Sequence, residues 1–191
     1  VLEAGDGPPL ILLHGAGGTI DPHINYTLQY WQLYQSIYDG LVTFKHAAGE
    51  EGFTIVPDLA ESWSWSADKK TLTFRLRQGV KWHDGKPFTS ADVKCTFDML
   101  MGKSQQKFRQ NPRKSWYDQV SDVTVNGDFE ASFNLKRPQP ALLSLLASGY
   151  TPVYPCHVSP AEMRTKPVGT GPFKFVEFKA NESIKLTKNP D

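Results

Sequence analysis

The sequence predicts an α+β fold, mixed α/β in composition, and three observations carry that prediction. Leu72, Phe74 and Leu76 alternate with Thr71, Thr73, Arg75 and Arg77, the period-two pattern of a strand with one buried and one solvated face. Val123 and Val125 precede Asn126-Gly127-Asp128, and Phe129, Ala131, Phe133 and Leu135 follow it. Asn-Gly favours the turn whose twist matches paired strands, so this stretch reads as a hairpin. Thr89 stands three residues before Asp92, as in a capping box, with Val93, Phe97 and Leu100 behind it at helical spacing. That spacing predicts a helix over about 90–101.

The remaining elements follow in chain order. Tyr30, Tyr34, Ile37, Tyr38 and Leu41 fall on one helical stripe, and Gly40 is placed to stop that helix. Residues 45–54 are polar and interrupted by glycine, which suits a surface hairpin loop. Asp68-Lys69-Lys70 and His83-Asp84-Gly85 supply turn chemistry on either side of the Leu72 strand. The segment 102–120 is basic, polar and irregular, and the hairpin after it is expected to join the Leu72 strand. Pro138 and Pro140 end the second hairpin strand, 141–146 form a short apolar helix, and Gly149-Tyr150-Thr151-Pro152 lies in a loop. Gly169 and Gly171 permit tight backbone turning before a strand over 173–178, whose partner is SIKLTK. A phosphate cradle is excluded there, because no Lys-Ser/Thr pair follows and a strand comes next instead of a helix.

Composition bounds the class. The 191 residues are 39% hydrophobic and 12% aromatic, enough for one or two modest cores and incompatible with a disordered or collagen-like chain. With 21 basic and 20 acidic residues the net charge is +1, so nothing electrostatic argues for nucleic acid or an anionic membrane as partner. The longest apolar run, Leu10-Ile11-Leu12-Leu13, is too short to span a bilayer, and no basic segment with a cleavable apolar region precedes it. A mature or trimmed chain has this appearance. Cys95 and Cys156 lie on different predicted elements with no metal-ligand or redox spacing, a pattern that favours two buried free thiols over a disulfide. No metal, cofactor or catalytic residue is predicted.

PDLAESW, TLTFRLRQGVKWHDGKPFTSADV and PVGTGPFKF, in this order and spacing, resemble the family 5 extracellular solute-binding proteins, the peptide-, nickel- and oligosaccharide-binding receptors of ABC importers. TIDPHINYTLQYWQLYQSIYDGLVTF is similar to that family's opening segment, so the resemblance covers 19–191. It implies the N-terminal part of a type II periplasmic-binding-protein fold, in which two α/β lobes close on a ligand and a further domain is inserted into the first lobe. Residues 19–43 and 167–191 then map to lobe I segments and 44–166 to the inserted domain, with 1–18 a first strand or a joined leader. The second lobe has no counterpart here.

The same resemblance implies no catalysis, a periplasmic or extracellular location, lipid-anchored or free, a peptide or other small-molecule solute, and a membrane permease as partner of the full-length receptor. Residues near the start of the first helix look into the family's cleft, which makes Tyr30 and Trp31 candidates, and plain packing against the neighbouring lobe is the alternative. Arg113 and Trp116 resemble an Arg and Trp that approach the ligand in the nickel-binding branch. Arginine forks onto carboxylates and tryptophan stacks on planar groups, so the pair suits an anionic or aromatic solute. A solvated loop with Trp116 in a hydrophobic seam is the competing reading. Tyr150 is a candidate by its position in the family pattern. Half a cleft leaves apolar faces exposed, so self-association, or a place within a longer receptor, is expected.

Two rival readings stand beside this one. GPPLILLHGAGG resembles the first strand and oxyanion-loop entry of α/β-hydrolases, with His14 in that loop, but the G-x-S-x-G nucleophile elbow of that family occurs nowhere in the sequence. An interaction module built from the inserted domain is the other.

Overall fold

The computed structural model describes residues 10–11, 20–25, 28–179 and 183–190. Along them run β1 (Leu10–Ile11), α1 (Leu28–Ile37), β2 (Val42–Phe44), β3 (Ile55–Pro57), β4 (Ala60–Trp65), β5 (Thr71–Leu76) and α2 (Ser90–Leu100). There follow β6 (Val120–Val125), β7 (Glu130–Leu135), α3 (Leu142–Ala147), α4 (Pro160–Met163), β8 (Phe173–Lys179) and β9 (Ser183–Lys188).

The strand read around Leu72 is β5, and it lies inside a four-stranded antiparallel sheet of order β4-β5-β7-β6. Leu72, Phe74 and Leu76 are buried, and Leu72 sits opposite Phe133 of β7. On the other face Thr73 and Ser132 are cross-strand partners joined through their hydroxyls at 2.8 Å. A one-residue slip would exchange these faces, so burial of the leucines and phenylalanines sets the register. Gly127 at φ 63° closes the β6–β7 hairpin. In the β4–β5 turn Lys69 takes φ 56°, and Asp68 Oδ1 accepts from the Lys70 N–H and the Ser66 hydroxyl.

Helix α2 covers the apolar face of this sheet. Asp92 accepts the Thr89 N–H at 2.9 Å, the half of the capping box that holds the helix start. Phe97 then meets Phe133 edge to face at 4.6 Å between ring centroids. The carboxylate of Asp92 also accepts from the Trp82 indole at 3.3 Å and the Cys156 N–H at 2.8 Å. One capping residue therefore ties three segments together.

The cysteines are paired, contrary to the expectation of two free thiols. Cys95 and Cys156 form a disulfide with Cα atoms 5.8 Å apart. The reason lies in tertiary structure: Thr96 Oγ1 accepts the Tyr154 N–H at 2.8 Å and Asp92 accepts that of Cys156, which lays 154–156 along α2. A separation of 61 residues carries no local trace of this.

A further finding concerns Gly169 and Gly171. The chain bends at 170–172 as expected, but neither glycine has a positive φ, so a left-handed backbone is not what requires them. A Cβ on Gly169 would lie 1.8 Å from the Ile37 carbonyl oxygen, and one on Gly171 would lie 2.8 Å from the Ile37 carbonyl carbon. The Gly171 N–H donates to that same carbonyl at 2.9 Å. These glycines let the chain pass directly over the end of α1 before it enters the β8–β9 hairpin, on whose outer side β1 pairs with β9.

His83 secures the crossing. Its N–H donates to Gly169 O at 2.9 Å, its Nδ1 accepts the Gly169 N–H at 3.2 Å, and its Nε2–H donates to Gly171 O at 2.9 Å. The residue read as part of a turn thus has a side chain that joins two distant segments.

Two outcomes test this account. Gly169→Ala should destabilise the fold toward or beyond the upper end of about 1–3 kcal/mol, since backbone must move to admit the methyl group; urea midpoints measure it. Replacing both cysteines by serine should cost roughly 4 kcal/mol from loop-closure entropy over this separation, read as a fall in thermal midpoint that a reductant reproduces in the parent chain.

Candidate functional site

Four of the five residues singled out by sequence come together around Tyr150. The Trp31 ring, on the first turn of α1, meets Tyr150 edge-on at 4.4 Å between centroids, and Trp116 meets it at 6.1 Å. The Arg113 guanidinium carbon stands 5.0 Å from the Tyr150 ring centroid and 5.6 Å from that of Trp116. Gly149 makes the approach possible: its φ is 71°, and a Cβ there would lie 3.2 Å from Trp31 Cζ2. Trp116, in the 3₁₀ turn Lys114–Tyr117, is 40% exposed, whereas Trp31 and Tyr150 are half-buried. The outcome is a small aromatic surface with a cation behind it.

Arg113 itself faces inward. It is 1% exposed, and its Nη1 donates to the carbonyls of Pro22 at 2.5 Å and Tyr150 at 3.0 Å. The guanidinium therefore anchors the backbone of Tyr150 and lends the ring a cation–π contact. Tyr30 does not join the cluster. It lies on the buried side of α1, 4% exposed, with its ring 6.0 Å from that of Tyr34.

Beneath the cluster is a polar interior that sequence reasoning missed. Asp21 and His23 are fully buried. Asp21 Oδ1 accepts the Tyr154 hydroxyl and, at 2.9 Å, the His23 N–H. The His23 ring lies 4.4 Å from Tyr154 and 5.1 Å from Phe108, and its Nε2–H donates to Pro152 O at 3.0 Å. Burial raises the Asp21 carboxyl above its ordinary range against the Tyr154 hydrogen bond. Burial, then the nearby Arg113 charge, pushes His23 down to about 3. The signal available in the sequence is an Asp and a His flanking a proline just before an apolar helix.

A groove of about 610 Å³, lined by His83, Lys166, Lys174, Phe175 and Phe178 among others, lies elsewhere, and none of the five candidates lines it. Among the described residues no three His, Cys, Asp or Glu side chains are grouped to hold a metal ion. His14 lies outside the described residues.

With this geometry in place, comparison with known proteins assigns the family. The model for bacterial extracellular solute-binding proteins, family 5, middle region, matches residues 54–191. The chain belongs to this family. It is 37% identical over 146 residues to a putative ABC transporter peptide-binding protein of Brucella ovis, covering 72% of this chain and 27% of that one. The periplasmic binding protein DppA of Helicobacter pylori, solved with the peptide STSA, superposes with a TM-score of 0.80 at 28% identity, covering 93% of this chain and 38% of that one. The binding protein MoaA of A. tumefaciens R10, solved with mannopinic acid, gives 0.81 at 29% identity, covering 93% and 36%. The mixed α/β fold is thus that of periplasmic binding proteins, and the chain spans less than a third of the length of the curated relatives it matches. The family is one of receptors, and the hydrolase reading finds no counterpart among these matches.

The buried histidines set a pH prediction. His23 and His83 both have folded-state values below the ordinary 6.5, chiefly through burial. Their contribution to stability is complete above that value and is lost as pH falls below it, by up to about 1.4 kcal/mol per pH unit for each proton. Asp21, held high, works in the opposite direction. Denaturant titration of the parent against His23→Gln, between about pH 7 and pH 4, should show a shallower acid loss in the variant, whose amide still donates to Pro152 O.

Proposed function

We propose that this chain is part of the solute-binding component of an ABC importer, and that it presents Trp31, Tyr150 and Trp116 to a peptide-like or other small solute. The family match over 54–191 is the observation that carries the proposal. The aromatic surface adds to it, since half-buried and exposed rings offer large contact area at little entropic cost. Solved relatives hold a peptide in one case and mannopinic acid in another, and both ligands carry carboxylates.

Arg113 acts in this reading as a positioning residue. Its charge, lodged behind Tyr150 and Trp116, holds those rings and favours a planar or anionic group on their outer faces. Tyr30 serves the packing of α1. Residues 44–166 form the inserted domain, flanked by lobe I segments at 19–43 and 167–191. A pocket normally removes most of a ligand's surface from water, so a second lobe completes the cleft and a membrane permease receives the closed receptor. Without that lobe the exposed Trp116 and Val176 favour self-association. The Cys95–Cys156 disulfide suits an oxidising periplasmic or extracellular location, with or without a lipid anchor. No catalytic step is assigned.

The test is calorimetry of the two-lobed receptor against di- and tripeptides and small carboxylates. Trp116→Ala should weaken the bound solute by about 1 kcal/mol or more. Arg113→Ala should instead lower the folding stability by about 2–4 kcal/mol, because two buried carbonyls lose a charged donor. Full affinity in the Trp116 variant would remove the cluster from the site.

A further inference from the structure

Among the described residues β8 is an outer strand, since the order β1-β9-β8 leaves one of its edges unpaired. The groove of about 610 Å³ lies along it, and Lys174, Phe175, Val176, Glu177 and Phe178 line that groove without a gap. Alternate residues of a strand face opposite sides of a sheet, so a groove met by five in succession follows the strand's edge. Its far wall is the chain from Arg164 to Val168, just after α4. Among the described residues no hydrogen bond joins the backbone of 174–178 to a segment other than β9. The outer strand β6 is treated differently: Lys94 Nζ donates to Val123 O at 3.1 Å and Lys103 Nζ to Ser121 O, and lysines on an edge discourage further strands.

Charge singles out what the β8 edge can take. Arg164, Lys166 and Lys174 line the groove, and none of them forms an ion pair among the described residues. The two carboxylates on its walls are already engaged, Asp84 with His157 at 2.6 Å and Glu177 with Lys179 at 4.0 Å. Phe175 and Phe178 are half-buried, and Val176, passed over by the register shift between Phe175 and Glu177, is 47% exposed. A two-fold interface uses the same patch twice, so a second copy paired edge to edge would set these cations against their own counterparts, which is unfavourable.

We propose that the β8 edge receives an extended segment of a partner protein, one that alternates carboxylate and apolar side chains and adds to the three-stranded sheet as a further strand. Backbone pairing with β8 supplies affinity, the phenylalanine rings and Val176 hold the apolar side chains, and the three cations select the acidic ones. The bulge at Val176 confines the pairing to a short stretch. None of Trp31, Arg113, Trp116 and Tyr150 lines the groove, so this surface stands apart from the solute site proposed above.

The experiment is fluorescence anisotropy of the 191-residue chain with a short fluorescein-labelled peptide that alternates glutamate and valine. Its comparison probes are the lysine–valine counterpart and the glutamate peptide N-methylated along its backbone, which cannot pair as a strand. The glutamate peptide should bind and the other two should not. Lys166→Glu combined with Lys174→Glu should weaken binding by about tenfold or more, whereas Lys70→Glu, before β5, should leave it unchanged. Lys174 Nζ also donates to His83 O at 3.4 Å, so the exposed Lys166→Glu alone, which should weaken binding in the same direction, guards against misfolding of the double variant. Equal binding of the lysine or N-methylated peptide, no binding of the glutamate peptide, or a dimer in light scattering that the peptide dissociates overturns the proposal. Binding by the 191-residue chain that is lost in the two-lobed receptor overturns it as well, because the edge then belongs to the receptor's own later chain.

Discussion

Ile37 ends α1 with its carbonyl turned to Gly169 and Gly171, two positions where the chain must carry no side chain. The clearance at Gly169 is smaller than any methyl group allows, and the long-range geometry of the molecule is organised around that contact. The Gly171 N–H caps the helix end, Thr170 between the glycines reaches Asp39, and Asn189 after β9 returns to Gly171 O at 3.2 Å. His83 approaches from the turn after β5 and bonds to both glycines. The first helix, the four-stranded sheet and the terminal hairpin therefore share one backbone crossing. Displacing it would leave several buried amides and carbonyls without partners, which is costly.

The interior beside that crossing is polar to an unusual degree for a small core. Asp21, His23, Arg113 and Tyr154 draw together 21–23, the Phe108–Arg113 stretch and the loop 150–154. Buried polar contacts of this kind specify a single arrangement more than they add raw stability. Their position bears on the proposed solute site, since Tyr150 rests on the Arg113 guanidinium and Trp31 rests on Gly149. An aromatic surface that touches a ligand gains selectivity when its rings cannot rearrange. The disulfide and the Thr96 contacts hold the following residues, 154–156, against α2, so both ends of the loop that carries Tyr150 are fixed.

Much of the fold was legible because it rests on local periodicity. The alternation around Leu72, the Asn-Gly turn and the Thr89–Asp92 box each encode an element within a few residues, and each appears where the pattern puts it. The candidate site was legible only as a set of residue types. Trp31, Arg113, Trp116 and Tyr150 are scattered over 120 positions, and nothing in their spacing says that the three rings share a surface or that the arginine lies beneath it.

What the sequence determined by itself is thus the family, the elements with strong local periodicity and the identity of their apolar faces, since these depend on motif order and on the two short periods of helix and strand. Tertiary structure alone decided the pairing of Cys95 with Cys156, the outward or inward sense of Trp116 and Arg113, the burial of Asp21 and His23, and the true purpose of Gly169. Each of these depends on which distant backbone arrives within a few ångströms. A glycine that permits a turn and a glycine that permits a crossing look the same until the crossing segment is in place.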